Sequence, residues 1–155
     1  MLLAILLQAA VPACPATPAP PPAVMAGWTT KSATAATAAG ETPLTLDRGV
    51  QAKLLPAGTT RLIVRPGKLP TAGSSGGVFA FTVPTVGRYR VAAGAGAWLD
   101  VVRDGKALTS VTHAHGPACS GIRKMVDFDL RPGRHLLQVV NSPTPTIHLM
   151  VSRLN

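Results

Sequence analysis

The chain has 155 residues, enough for one domain with a hydrophobic core. Hydrophobic residues make up 46% of it and charged residues 14%, and its 15 glycines and 15 prolines favour short strands and turns over helices. The formal net charge of +9 raises the question of a nucleic-acid partner, but the basic residues are spread singly and form no RNP-like motif or zinc-finger spacing. This pattern argues against specific nucleic-acid binding. It predicts a generic basic surface or an anionic partner such as a membrane surface or an acidic glycan.

The chain starts with a short apolar run, MLLAILLQAAVPA, which ends in small residues at the positions that a signal peptidase reads. We therefore predict a signal peptide over residues 1–13 and a periplasmic or secreted protein. The run is too short to span a bilayer, and no later segment approaches about 18 uninterrupted apolar residues. No transmembrane span is expected.

Residues 14–43 are rich in proline, alanine and threonine, and we predict that they form an N-terminal arm ahead of a domain at 44–155. The stretch PATPAPPPA favours an extended, polyproline-like spacer. Trp28 stands alone in polar surroundings and is predicted to pack against the domain.

From Leu44 onward, short runs of alternating residues recur between turn residues, which is typical of strands. The pair Asp104-Gly105 predicts a tight hairpin. In KMVDFDL, the alternation points Phe128 into the core and places Asp127 and Asp129 on an exposed face beside arginines. We predict an all-β fold, an antiparallel β-sandwich of jelly-roll type with eight or nine strands, and a small barrel is the alternative. The predicted strands are VQAKLL, TRLIV, GVFAFTV, RYRVAA, AWLDVVR, KALTSV, KMVDFDL, HLLQVV and TIHLMVSRL.

The stretch from Val78 to Leu154 resembles jelly-roll modules that are appended to secreted enzymes, such as the pre-peptidase C-terminal domain and some carbohydrate-binding modules. The resemblance rests on FTVPTVGRYRV, DGK and LRPGRHLLQV, each of which makes a hairpin in those modules. It implies an exported, non-enzymatic binding or accessory module of the cell envelope.

The segment HGPACSGIRKMVDF is similar to one in small exported bacterial proteins, some of which carry the name homogentisate 1,2-dioxygenase. That enzyme family is a cupin that binds iron through two histidines and a glutamate. The resemblance implies, as an alternative function, a metal-dependent dioxygenase that uses His113 and His115. Glu41 is the only glutamate of the chain and lies in the low-complexity segment.

His113 and His115 also form a candidate metal site by spacing, because residues two apart on a strand point to the same face. Two imidazoles can bind a transition metal if further ligands converge on them. The alternative is that both are polar surface residues at the end of a strand. The candidate further ligands are Cys119, Asp127, Asp129, His135 and His148.

The two cysteines, Cys14 and Cys119, invite a disulfide in an oxidising compartment, which would tie the arm to the sandwich. Cys14 is also the first residue after the predicted cleavage site, and the sequence VPAC resembles a lipobox. A lipidated Cys14 would make the protein an envelope lipoprotein, and a free thiol is the third alternative.

Two further pairs are candidate ligand-binding residues. Trp98 and Asp100 could form a platform on which a sugar stacks, provided that Trp98 is exposed. Arg123 and Lys124, which follow Gly121, could hold an anion. No catalytic residue is predicted.

Overall fold

A computed structural model describes residues 12–18, 20–37 and 40–155 of the chain. Most of the predicted signal peptide, residues 1–13, therefore lies outside the described residues. The regular structure is strand, apart from two short 3-10 helices over Ala23–Thr29 and Ala57–Thr59. No helix in the described ranges has the length and apolar character that crossing a membrane requires.

Two sheets pack face to face around a shared hydrophobic core. Sheet one contains, in spatial order, β1 (Ser32–Ala35), β3 (Val50–Lys53), β12 (Thr146–Arg153), β6 (Gly87–Ala93), β10 (Lys124–Leu130) and β9 (Thr112–Ala114). Sheet two contains β2 (Thr42–Pro43), β5 (Ser75–Val83), β11 (Gly133–Ser142), β7 (Trp98–Arg103) and β8 (Lys106–Ala107), and β4 (Leu55–Pro56) also pairs with β5. The predicted jelly-roll-like β-sandwich is confirmed. Its sheets are mixed, because β1 runs parallel to β3 and β2 runs parallel to β5.

The described chain has twelve strands where the sequence predicts eight or nine. The unpredicted strands are short: β1 has four residues, β2 has two and β9 has three. Strands of this length at the edge of a sheet carry too little alternation to be recognised. Both β1 and β2 lie within the segment 14–43, so residues of the predicted arm extend both sheets.

The predicted strand TRLIV, residues 60–64, is wrong, because a side chain replaces the neighbouring strand there. Gln138 on β11 is fully buried, and its Oε1 accepts the N–H groups of Ile63 at 2.7 Å and Val64 at 3.2 Å. Its Nε2 donates to the carbonyl of Val64 at 3.0 Å. One amide thus supplies the donor and the acceptor that a strand would provide. The segment forms a loop over the outer face of sheet two.

Two of the three hairpins that the resemblance implies are wrong. In FTVPTVGRYRV, β5 belongs to sheet two and β6 to sheet one, so the turn crosses between the sheets. The turn in LRPGRHLLQV crosses in the same way from β10 to β11. The alternation of the sequence cannot distinguish a hairpin from a crossover, because Phe81 and Tyr89 point into the core in both arrangements. The third hairpin is confirmed, and Asp104 and Gly105 have φ values of 51° and 71°, as a type I′ turn requires.

The two aspartates of β10 have different environments. Asp129 is exposed and pairs with Arg88 at 2.9 Å, as predicted. Asp127, predicted to be exposed, is only 6% exposed. Arg90 donates to both of its carboxylate oxygens, at 2.7 and 2.9 Å, and Thr112 donates to one of them at 3.1 Å. These contacts compensate the carboxylate for its burial beside the edge strand β9.

His135 is a histidine in the core, with 1% of its surface exposed. Its ring lies on Phe81 with centroids 5.5 Å apart, and its Nδ1 lies 3.0 Å from the carbonyl oxygen of Gly133. Its Nε2 has no partner among the described residues. Burial lowers the pKa of His135, and the charge of Arg103 lowers it further. The hydrogen bond to the Gly133 carbonyl and the charge of Asp104 raise this pKa by smaller amounts than burial lowers it. The folded protein therefore holds this imidazole in its neutral form.

We predict that acid weakens the fold through His135. The folded-state pKa lies below the unfolded value of about 6.5, so the unfolded chain takes up a proton first as pH falls. The contribution of the neutral ring is complete above that value and is lost as pH falls below it toward the folded pKa. Urea unfolding should give a lower midpoint at about pH 5 than at about pH 7.5.

The variant His135→Gln should show a smaller difference between the two pH values. Part of the difference should remain, because burial also lowers the pKa of His148. His113→Gln, at an exposed histidine of β9, is the matched control and should keep the wild-type difference. An unchanged pH dependence in His135→Gln would contradict the prediction.

Candidate functional site

The N-terminal arm covers the outer face of sheet one. Ala92 on β6 and Met150 on β12 point away from the central core, and Met25 and Trp28 of the first 3-10 helix pack onto them with Ile122. Met25 is 0% and Trp28 4% exposed. The prediction that Trp28 packs against the domain is confirmed.

Trp28 also stacks on His148 of β12. The ring centroids are 3.9 Å apart and the planes differ by 9°. The Nε1 of Trp28 donates to the carbonyl of Ser120 at 3.1 Å, and the Nε2 of His148 donates to the carbonyl of Thr30 at 3.1 Å. Burial lowers the pKa of His148; the Thr30 carbonyl acts in the opposite direction, and the charge of Lys31 again lowers it. A neutral imidazole therefore holds the arm to the sheet.

A disulfide joins Cys14 to Cys119, with 5.5 Å between their Cα atoms, and the predicted bridge is confirmed. Cys119 lies in the connection between β9 and β10, next to the Trp28 acceptor Ser120. The bridge and the ring stack therefore fasten the arm at two neighbouring points. The bridged Cys14 sulfur cannot carry a lipid, so the lipoprotein stays a prediction for a chain in which the bridge does not form.

A groove of about 660 Å³ runs between the arm and sheet one. We call it the arm groove. Pro18, Pro20 and Pro21 of the arm line it together with the stacked Trp28 and His148. Polar side chains complete the lining, and among the described residues it contains no acidic group. These polar residues are Thr29, Lys31, Gln51, Ser120, Thr144 and Thr146.

Three of the four predicted ligand-binding residues lie together at one end of the sandwich. The Nε1 of Trp98 donates to Asp100 at 3.0 Å, and the Nζ of Lys124 lies 5.5 Å from the Trp98 ring centroid. The ammonium of Lys124 also donates to the carbonyl of Ala97 at 2.8 Å. Burial lowers the pKa of Lys124, and the charge of Lys68 acts in the same direction.

The loop over sheet two covers part of the Trp98 ring. A Cβ placed on Gly67 would lie 2.6 Å from Cζ2 of Trp98, so this position needs a glycine for the loop to approach so closely. Trp98 is half-buried as a result. This geometry favours a role in holding the loop, and sugar stacking on Trp98 and Asp100 stays a prediction.

Arg123 and the two predicted metal ligands lie in a different place from Trp98. His113 is exposed on β9, which ends at Ala114, so His115 belongs to the following connection. The Nδ1 of His115 lies 3.0 Å from the carbonyl oxygen of Arg123 and 3.2 Å from its Nη1. Arg123 therefore contacts His115, whereas its neighbour in sequence, Lys124, contacts Ala97 and Trp98.

The structure describes no ligand set for a metal around these histidines. In the described ranges, no three histidine, cysteine, aspartate or glutamate side chains are grouped closely enough to hold an ion. Cys119, proposed as a further ligand, is wrong in that role, because its sulfur is used in the disulfide. Transition-metal binding by His113 and His115 stays a prediction.

Sequence reasoning did not identify the arm groove. Its lining comes from the arm, from β3, from β12 with the turn before it, and from the β9–β10 connection, which lie far apart in the chain. Lys31 and Gln51 carry no motif. The two features that could have indicated the groove are the lone Trp28 and the cysteine pair, because together they predict where the arm lies.

No family model matches the chain, and no curated protein matches it. Among solved structures, the chain is similar to the pre-peptidase C-terminal domain of a collagenase from Bacillus anthracis. The identity is 13% and the TM-score 0.45, over 73% of this chain and 95% of that one. That domain belongs to the class of modules that the strand pattern resembles. The similarity to small exported proteins, and the dioxygenase that it implies, stay predictions.

We predict that removing the bridge frees the arm. The double variant Cys14→Ser with Cys119→Ser should lose about 4 kcal/mol of unfolding free energy, because the bridge closes a long loop in the unfolded chain. Limited proteolysis should then cut the arm ahead of Trp28. Wild-type protein with and without reductant is the matched comparison, and equal urea midpoints with equal proteolysis would contradict the prediction.

Proposed function

We propose that the chain is an exported, non-enzymatic binding module of the cell envelope that takes an acidic glycan in the arm groove. The observation that carries this proposal is the groove itself. Its proline wall is held by a covalent bond and a buried tryptophan, and its rim carries hydroxyl, amide and ammonium groups. The resemblance to accessory modules agrees with the same role.

The disulfide supports export, because such bonds persist in the periplasm and outside the cell and are rare in the cytosol. The apolar start of the sequence supports the same route. We therefore propose that residues 1–13 are removed, that the mature chain begins at Cys14, and that it functions in the periplasm or outside the cell.

The chemistry of the lining suits a sugar chain that carries carboxylates. Thr29, Gln51 and Thr146 offer hydrogen bonds to hydroxyl groups, and the proline rings give flat apolar surfaces for the faces of sugar rings. Lys31 can pair with a carboxylate of the sugar. The described lining contains no acidic residue that would repel that carboxylate. The net charge of +9 draws an anionic chain toward the protein.

The fastening of the arm favours binding in a second way. A groove wall that is already fixed loses little conformational freedom when a ligand arrives. The Cys14–Cys119 bridge and the Trp28–His148 stack both act before binding. The arm groove is therefore organised in the free protein.

We predict that Lys31 distinguishes acidic from neutral glycans. Isothermal titration with tetragalacturonate should show binding, and titration with maltotetraose should show none. Lys31→Gln should weaken the acidic interaction about tenfold or more, because it removes one charge-assisted contact.

Lys106→Gln is the matched control, since Lys106 is an exposed lysine on β8 of the other sheet. It should bind as the wild type does. Absence of tetragalacturonate binding would overturn acidic glycan as the ligand class. An equal loss in both lysine variants would show that total charge, rather than the arm groove, attracts the probe.

We predict that the mature chain begins at Cys14 and carries the bridge. Intact mass spectrometry of protein exported by a bacterial host should give the mass of residues 14–155 less two hydrogen atoms. Reduction should restore those two hydrogens. An added acyl mass would support the lipoprotein instead, and a chain that retains residue 1 would contradict the signal peptide.

A further inference from the structure

The loop over sheet two presents apolar and basic side chains together. We call residues 60–70 the basic loop. Ile63 is 37% and Leu69 56% exposed, although both are large aliphatic residues. Arg65 and Lys68 are exposed between them, and Arg61 is exposed just ahead of Ile63. An exposed aliphatic side chain is ordinary on its own, but two of them interleaved with three cations form a distinctive surface.

This loop is held firmly against the sheet. Gln138 binds the backbone of Ile63 and Val64 through three hydrogen bonds. Asn141 donates from Nδ2 to the carbonyl of Leu69 at 2.8 Å and accepts the N–H of Thr71 at 2.8 Å. The backbone is therefore fixed on both sides of the loop tip. The fold holds Ile63 and Leu69 partly exposed to solvent instead of burying them on the sheet.

One cation of the basic loop, Arg65, shares a surface with both apolar side chains. Ile63, Arg65 and Leu69 line the same open groove of about 430 Å³. The ion pairs between described residues involve Arg88, Arg90, Arg103 and Arg134, and none involves the cations of the basic loop.

Sequence around the loop strengthens this charge. From residue 48 to residue 99 the chain contains seven lysines and arginines and no aspartate or glutamate. Asp100 contacts Gln138, which holds the loop, and its carboxylate accepts hydrogen bonds from Trp98 and Gln138. The loop therefore offers positive charge that its own protein does not neutralise.

We propose that the basic loop docks the protein on an anionic phospholipid surface. Ile63 and Leu69 enter the boundary between headgroups and acyl chains, and Arg61, Arg65 and Lys68 lie at the lipid phosphates. Peripheral attachment needs apolar insertion and charge attraction together, and this loop supplies both. The site lies on the outer face of sheet two, so it is separate from the arm groove on sheet one.

The test is co-sedimentation of the full, disulfide-bonded chain with lipid vesicles. Vesicles of phosphatidylcholine with phosphatidylglycerol should bind the protein, and vesicles of phosphatidylcholine alone should bind it weakly. Added salt should release it, because the attraction to the lipid phosphates is screened. Each cation removed should lower the partition coefficient about fivefold, and the triple variant Arg61→Gln, Arg65→Gln, Lys68→Gln about a hundredfold.

The double variant Ile63→Ser with Leu69→Ser tests insertion separately from charge, and it should also reduce binding. Val86→Ser, at an apolar residue 62% exposed in a turn outside the loop, is the matched apolar control. Lys106→Gln is the matched charge control, and both controls should bind as the wild type does. Because the replaced side chains are exposed, thermal unfolding should show that all variants remain folded.

Three results would overturn the proposal. The first is no difference between the two kinds of vesicle. The second is full binding by the Ile63 and Leu69 variant, which would reduce the interaction to charge attraction. The third is loss of tetragalacturonate binding, rather than vesicle binding, in the triple variant, which would make the loop a glycan site. The first two results bear only on the loop, and the Lys31→Gln variant tests the arm groove separately.

Discussion

A β-sandwich buries one face of each sheet and leaves two outer faces, and in this chain both outer faces carry groups that must be covered. The outer face of sheet one carries the apolar side chains of Ala92 and Met150, whose exposure to water would be unfavourable. The outer face of sheet two holds Gln138, whose amide is fully buried and needs partners. Strands cover neither face. Irregular segments do, and the position of each segment follows from what lies beneath it.

The two covers are fastened by different chemistry. On sheet one, the hydrophobic contacts are not directional and do not by themselves fix the position of the arm. The disulfide and the stack of Trp28 on His148 fix it. On sheet two, hydrogen bonds with Gln138 and Asn141 fix the loop backbone and leave Ile63, Arg65 and Leu69 exposed. The first arrangement creates a groove beside the arm. The second presents side chains outward, which is why the two surfaces differ in character.

The alternating pattern predicted the sandwich, because alternation of apolar and polar residues along a strand shows that one of its faces is buried. Phe128 in the core and the turn at Asp104 were both predictable in this way. The pairing of strands was not, since a crossover and a hairpin impose the same alternation. The loop at residues 60–64 has a strand-like sequence, but its partner is Gln138, a side chain from a distant strand. Asp127 tolerates its burial because Arg90 pairs with it from the neighbouring strand, and no local sequence pattern predicts that contact.

The candidate binding surfaces were harder to predict for the same reason. The cysteine pair indicated where the arm lies, since two cysteines in an exported chain allow only one bridge within it. Which side chains then line the groove depends on how the arm crosses β12, and periodicity cannot give that. The basic loop differs, because its cations and aliphatic residues are contiguous in sequence. The sequence did not indicate that this segment is a loop instead of a strand. Because Gln138 takes the place of a neighbouring strand, Ile63 pairs with no strand and its side chain stays partly exposed.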